Sequence, residues 1–524
     1  MAHKKKLLPA LALSALAVAT MGAETAAAAD CSPGQTRIQG RGASFQNQAH
    51  NNTSFGWIFS AACQVGTKDA TSGNNPPNTG FNAGDDLVYY DGQGSGSGLG
   101  AFGSGTGSGP FVAPAGVRDN QVSFIGTDDP AAQGTGSVGR KMEEGPTGSL
   151  TDAENAINDA DDGILHTIPV AQAALAVIVK APLGCKYPAS QAYIKRWKLP
   201  AGVPGATNSA IEKVFSGEYD TWGDLGFKEN VTNVPCPKAI KRFVRRDNSG
   251  TTFSFKNFLN STDEGNTTAW EANDQSEDDN TIWPNGAIGN RDRDGVCDGN
   301  DTGAGGTGVI TGQYVCTGTA NGNASLAAAL NALGGGEGGI GYADLGTSRA
   351  AGFSWTNTAD RTYWLPLYSP TSTTTLFDAQ AVASAFKSNA PTSSYGSNCN
   401  DSTVYGLNGG NSLPVNTKAD WGTVYQNPTA PAYPICTLTY IGAWEDYEDP
   451  YPDTELAEAV KADRQQVVEN YLEYILGTDP LGVGTNEGQT VLNQADYSAL
   501  PGTVRSVANT YFIQAQFDKS PDVE

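Results

Sequence analysis

The chain has 524 residues, 55 Asp and Glu against 32 Lys and Arg, a formal net charge of −23, and 64 glycines. Such acidity excludes nucleic acid and anionic membrane as partners, because like charges repel over the whole surface. The length exceeds what one ordinary hydrophobic core serves, so two domains carrying insertions are predicted.

In chain order, Lys4, Lys5 and Lys6 precede an apolar run at 7–21 and the small residues at 26–29. This reads as a secretory signal over residues 1–29, whose removal leaves the remainder more acidic by two charges. Its apolar part is short for a membrane span, and no later stretch reaches that length. Asp30 stands before Cys31 where a lipid-anchor signal requires a small residue, so a freely secreted protein, extracellular or periplasmic, is predicted. All eight cysteines follow the signal, an even count in an oxidising compartment. Sequential pairing is the simplest framework: Cys31–Cys63, Cys185–Cys236, Cys297–Cys316 and Cys399–Cys436. No pair has CxxC spacing, and only His50 and His166 remain after the signal, which leaves little for a zinc cluster or a histidine-based catalytic site.

Apolar, β-rich runs at 87–90, 122–125, 174–179, 242–244 and 438–441 predict strands. Helices are predicted at 209–215, from Ser249 onward with Phe253, Phe255, Phe258 and Leu259 behind it, and at 463–476. In the last, Val467, Val468, Tyr471, Leu472 and Ile475 share a face and Gly477 supplies the stop. The alternation predicts α/β domains with buried sheets. Glycine-, serine- and asparagine-rich tracts at 92–109, 260–308 and 389–432 read as loop insertions.

Four segments share one chemistry: Gly-Ala-Ser-Phe at 42–45, Gly-Ser-Gly-Ser-Gly at 94–98, Gly-Thr-Asp-Asp-Pro at 126–130 and Arg-Arg-Asp-Asn-Ser-Gly-Thr-Thr at 245–252. The first turn of a helix offers unpaired N–H donors and a positive dipole end, glycine permits close approach, and Ser or Thr adds a hydroxyl. Arg245 or Arg246 brings a fork of donors that matches a tetrahedral oxyanion. Asp128 or Asp247 beside such an anion is costly unless the anion donates a hydrogen bond. Phosphate near neutral pH carries a proton and sulfate does not, so the carboxylate selects phosphate.

The order of these segments resembles the phosphate-binding protein of the phosphate ABC transporter, the PstS family. Residues 38–45 resemble its Gly-Ala-Gly-Ala-Thr/Ser-Phe start with Arg41 in place of a small residue, and 90–95 its Tyr-x-Gly-x-Gly-Ser. Residues 124–128 resemble its Phe-Gly-Ala-Ser-Asp, and 245–252 its Arg-Ser-Asp-x-Ser-Gly-Thr-Thr. Supporting segments are Ile168-Pro-Val, Val214-Phe-Ser-Gly, Gly339-Ile-Gly-Tyr, Tyr433-Pro-Ile and Tyr497-Ser-Ala-Leu-Pro.

The resemblance implies an α/β, two-lobed periplasmic-binding-protein fold (type II), two α/β domains joined by a two-crossover hinge with long loop insertions. Lobe one would hold residues 30–168 and 437–524, and lobe two 169–436, with crossovers near 167–169 and 435–437. It also implies a phosphate shell of Ser44, Phe45, Ser95, Asp128, Arg245, Ser249, Gly250 and Thr251, with Asp247 steadying Arg245. The function implied is non-enzymatic capture of inorganic phosphate by a monomer, for delivery to a phosphate ABC permease, with no cofactor required. A secreted phosphoesterase and a structural or adhesive exoprotein are the alternatives. The chain has no GxSxG or HExxH for the first, and the second leaves Arg245, Ser249 and Asp128 unexplained.

Residues 290–301 have the spacing of a twelve-residue calcium loop. Asn290, Asp292, Asp294, Asp298 and Asp301 would supply side-chain oxygens and Val296 its carbonyl, with Gly295 at the sharp turn. A structural calcium there is the one metal the sequence suggests.

Overall fold

The computed structural model describes residues 37–51, 56–60, 87–102, 121–132, 140–141, 165–186, 209–245, 249–263, 270, 283, 314–316, 322–354, 361–368, 376–379, 395–396, 399, 403–407, 409–427, 432–445, 447, 457–477 and 487–510. The signal, the calcium-like loop, Arg246 and Asp247 lie outside them, as do Cys31, Cys63 and Cys297.

The apolar runs form the strands β1 Arg37–Gly42, β2 Leu87–Asp91, β3 Phe124–Thr127, β4 Leu165–Lys180, β5 Ile240–Val244, β6 Tyr314–Cys316, β7 Gly338–Asp344, β8 Thr362–Trp364, β9 Cys436–Trp444 and β10 Tyr497–Ser498. Among the described residues these make one 10-stranded sheet in the order β6-β5-β7-β4-β9-β3-β1-β2, with β8 and β10 also paired to β4. β1 runs parallel to β2 and β3, and β5 runs parallel to β6 and β7. The two long strands between these groups, β4 and β9, are antiparallel to each other, with β4 also antiparallel to β7 and β9 to β3. Each end of the sheet therefore repeats one pattern: second strand, first strand, third strand, then an antiparallel strand from the centre.

β4 is 16 residues long and almost wholly buried, as a central strand covered on both faces must be. Its residues up to Ala174 pair with β9, and from Leu175 onward with β7. Periodicity alone predicts only its second half, because Pro169 interrupts the first. The sheet absorbs that proline with a register shift opposite Thr439 and Tyr440, where the missing N–H leaves the ladder irregular.

The helices used below are α1 Asn47–Asn51, α2 Ser95–Ala101, α3 Ala210–Phe215, α4 Gly250–Thr262, α5 Asn323–Asn331, α6 Leu345–Ala350 and α7 Glu458–Leu476. α7 starts five residues before the predicted position and ends, as predicted, at Gly477 in the left-handed conformation. Ser209 and Ser249 cap α3 and α4, accepting from the N–H groups of Glu212 and Thr252.

Two tracts predicted as loops carry regular structure in their described residues. Part of 92–109 forms α2, although glycine is a poor helix former. The reason is space: a Cβ at Gly98 would stand 2.7 Å from the Arg41 carbonyl and 2.9 Å from Gly42 Cα, so only a bare helix packs on β1. Within 389–432, Tyr405–Leu407 pairs with Val424–Gln426, Tyr405 and Trp421 are buried, and Tyr405 donates to Gln172 Oε1 on β4 at 3.0 Å. Cys399–Cys436 ties this segment to β9, and Cys185–Cys236 ties the end of β4 to the segment before β5, both as sequential pairing predicts. No described helix is long and apolar enough to cross a membrane.

Candidate functional site

Parallel strands place their C-terminal ends on one edge, and here both groups do so toward the same seam. β1 ends at Gly42 and leads into a 3-10 turn at Ser44–Gln46, β2 leads into α2 at Ser95, and β3 leads to Asp128. From the other half, β5 leads to Arg245 and the cap of α4, and β7 ends at Asp344, which caps α6. Glycine is required where these ends meet. Gly42 has φ +144°, and a Cβ there would lie 1.9 Å from the Gly126 carbonyl oxygen. Gly250 lies against the opposite half: its Cβ would stand 2.3 Å from Asp129 N and 2.6 Å from Ser95 Oγ.

Arg245 is buried and crosses the seam, its Nη1 donating to Ser44 Oγ at 3.2 Å and to Asn323 Oδ1 at 2.8 Å. Asp128 is also buried. It accepts from Thr251 Oγ1 at 3.1 Å on one oxygen and from Thr439 Oγ1 at 2.6 Å on the other, while its N–H donates to Ser95 Oγ at 3.1 Å. Ser95 thus meets Asp128 directly. Phe45 is fully buried with its carbonyl accepting from the Tyr497 hydroxyl, which fixes the turn that follows Ser44. Helix geometry gives the N–H groups of Ser95 and Gly96 in α2, and of Gly250 and Thr251 in α4, no intrahelical acceptor.

Ser44, Phe45, Ser95, Asp128, Arg245, Ser249, Gly250 and Thr251 are thus gathered from four strand ends onto one seam. Arg41 does not join them; its charge acts on Asp91. Two further polar residues belong to the cluster. Asn323, at the start of α5, donates to Asp344 Oδ2 at 2.8 Å and Thr251 Oγ1 at 3.3 Å while accepting from Arg245. Thr439, on β9, holds Asp128. Asn323 lies in an alanine- and asparagine-rich stretch that reads as a plain helix start, and Thr439 reads as an ordinary β-branched strand residue. Only the repeat of strand end followed by helix start in the second half would have singled out Asn323.

Burial raises the Asp128 carboxyl from 3.8 to about 7, against the lowering effects of the Thr439 and Thr251 hydrogen bonds and of the Arg245 charge. Burial also raises Asp344, although Thr347 and Asn323 donate to it. A pocket lined by Asp128, Ser254, Asn257, Thr437 and Tyr440 opens beside the seam. Among the described residues no group of three or more His, Cys, Asp or Glu is placed to hold a metal ion. The assembled groups can surround a small oxyanion: a guanidinium and hydroxyls to donate, and one carboxylate to accept.

A family model described as a PBP superfamily domain matches residues 75–477. The chain belongs to the PBP superfamily. Its mixed α/β architecture is that of a periplasmic binding protein, with Asp128, Arg245, Asn323 and Thr439 all inside the matched span. Similar solved structures include a high affinity periplasmic phosphate-binding protein (PfluDING) bound with phosphate, 17% identical, covering 91% of this chain and 93% of that one, TM-score 0.47. A phosphate binding protein from Stenotrophomonas maltophilia is 16% identical, covering 91% and 94%, TM-score 0.45. The ancestral soluble variant of the human phosphate binding protein is 16% identical, covering 91% and 93%, TM-score 0.47. No curated protein sequence matches the chain.

Proposed function

We propose that this PBP-superfamily chain is a secreted solute-binding protein that captures inorganic phosphate between its two halves, for delivery to a phosphate ABC permease, without catalysing a reaction. The observation that carries the reading is the burial of Arg245 and Asp128 in one seam, each reaching partners in the opposite half. A buried guanidinium matches the charge and shape of a tetrahedral anion. A buried carboxylate next to that anion is tolerated when the anion supplies a hydrogen between them, which phosphate does and sulfate does not. The halves would hinge where β4 changes partner at Ala174 and Leu175, five residues beyond the crossover expected at 167–169, and where Ile435 leads into β9.

Isothermal titration of the purified protein with phosphate and with sulfate at pH 8.5, in the wild type and in Asp128→Asn, tests the proposal. Phosphate binding without a sulfate response, and a gain of sulfate binding in the variant, are the expected results. A folded wild type that does not bind phosphate overturns the reading.

A further inference from the structure

Behind Asp128 lies a line of buried polar groups that anion capture leaves unexplained: Thr439, Gln46, His50 and Tyr471. Its hydrogen-bond directions are determined by chemistry. The Tyr440 carbonyl can only accept, so the Gln46 atom 2.6 Å from it is the amide nitrogen, and the same nitrogen donates to Thr439 Oγ1 at 2.7 Å. Gln46 Oε1 then faces His50 Nε2 at 3.0 Å, which must carry the proton. His50 Nδ1 accepts from the Tyr471 hydroxyl at 2.8 Å. The His50 ring is held in place by stacking on Tyr90 with centroids 3.9 Å apart.

Thr439 has one hydroxyl proton, and its oxygen is already an acceptor. The proton goes to Asp128 Oδ1 at 2.6 Å in preference to the Thr127 carbonyl at 3.4 Å, since the bond to a carboxylate is the shorter and stronger. Thr251 is constrained in the same way: it accepts from Asn323 and donates to Asp128 Oδ2. Both carboxylate oxygens therefore receive protons from the protein, an arrangement that suits an ionised Asp128 with its remaining lone pairs available.

We infer that Thr439 and Gln46 are positioning residues that set ligand specificity, by orienting a chain of donors onto Asp128 that favours its ionised form, which meets the anion only as an acceptor, so that the anion must bring its own proton. The inference rests on the phosphate-binding reading above. The other groups acting on Asp128 are the Arg245 and Asp344 charges and the phenols of Tyr90, Tyr440 and Tyr497. Thr439 and Gln46 contribute no charge of their own, so their effect is read through Asp128.

The test is titration of full-length protein with inorganic phosphate and with sulfate from pH 6.5 to 9, in wild type, Thr439→Val, Thr439→Ser and Gln46→Met. Loss of the Thr439 donor lets Asp128 take up a proton and donate. Thr439→Val is therefore expected to lose at least about tenfold of the phosphate-over-sulfate preference and to bind sulfate from about one pH unit higher. Thr439→Ser restores both. Gln46→Met, which frees the Thr439 proton to turn away, shifts them in the same direction and stands in if Thr439→Val does not fold. A wild type that binds phosphate, alongside Thr439→Val and Gln46→Met that keep its preference and pH profile, overturns the inference alone. A wild type that binds no phosphate overturns the functional reading first.

Discussion

The two halves of the sheet share a strand order and yet treat their third-strand aspartates differently. Asp344 follows β7 and is committed to structure: it caps α6 by accepting from the Thr347 N–H at 2.8 Å and it anchors Asn323. Asp128 follows β3 and caps no helix; its side-chain donors come from the opposite half, Thr251, and from the central strand, Thr439. The positive charge is distributed the opposite way, with Arg245 after β5 buried in the seam while the charge of Arg41 on β1 acts on Asp91. One topology thus supplies two equivalent positions, and the partners packed against each decide whether a carboxylate caps a helix or takes its donors from the opposite half and the central strand.

The largest effect expected from breaking this asymmetry is at Arg245. Arg245→Gln removes the guanidinium buried in the seam, the charge that would compensate the anion, and with it the Nη1 donor that Ser44 Oγ and Asn323 Oδ1 share. Phosphate binding measured by titration should weaken by at least about 100-fold, the scale of about 3 kcal/mol for a lost charge-assisted pair.

The proton on Asp128 is expected next. With the carboxyl raised to about 7, sulfate can bind only to the neutral form, so its affinity should rise about tenfold for each pH unit lowered from 9 toward 7 and level off below. Between 3.8 and about 7 the folded protein also holds a proton that the unfolded chain has released. The stability this neutral form contributes is complete below the lower value and is lost as the pH rises through about 7. Asp128→Asn should therefore raise the thermal midpoint of the ligand-free protein more at pH 8.5 than at pH 5.

Gly250→Ala pushes a methyl group into the backbone of Asp128 and Asp129 and forces the seam apart. An overpacking cost of about 2 kcal/mol corresponds to roughly 30-fold weaker phosphate binding. The smallest effect belongs to the structural aspartate. Asp344→Ala should cost about 1 kcal/mol of stability, as loss of a helix cap does, while keeping the preference for phosphate over sulfate. A loss of that preference in Asp344→Ala would break the distinction between the two halves.

Much of the seam is legible in the chain because its parts are local. Gly-Ala-Ser-Phe, Gly-Thr-Asp-Asp and Ser-Gly-Thr-Thr each announce a strand end or a helix start through glycine, hydroxyl and charge within a few residues. What is not legible depends on residues far apart. Thr439 is 311 positions from Asp128, and Gln46 is 393 from Thr439; nothing in their neighbours marks them as partners. The helix at Ser95–Ala101 is equally hidden, because its glycines disfavour a helix and only the close face of β1 makes them necessary.

By itself the sequence determined the alternation of strands and helices, two of the disulfide pairs, and the glycine-, hydroxyl- and charge-bearing segments that meet at the seam, since periodicity, caps and charge act over a few residues. Tertiary structure alone decided that Asp128 takes its donors from Thr251 and Thr439 while Asp344 caps a helix, and that Arg245 is buried against Ser44 and Asn323. Burial, hydrogen-bond direction and shifted acidity come from groups the fold brings together across hundreds of residues, and no local pattern encodes them.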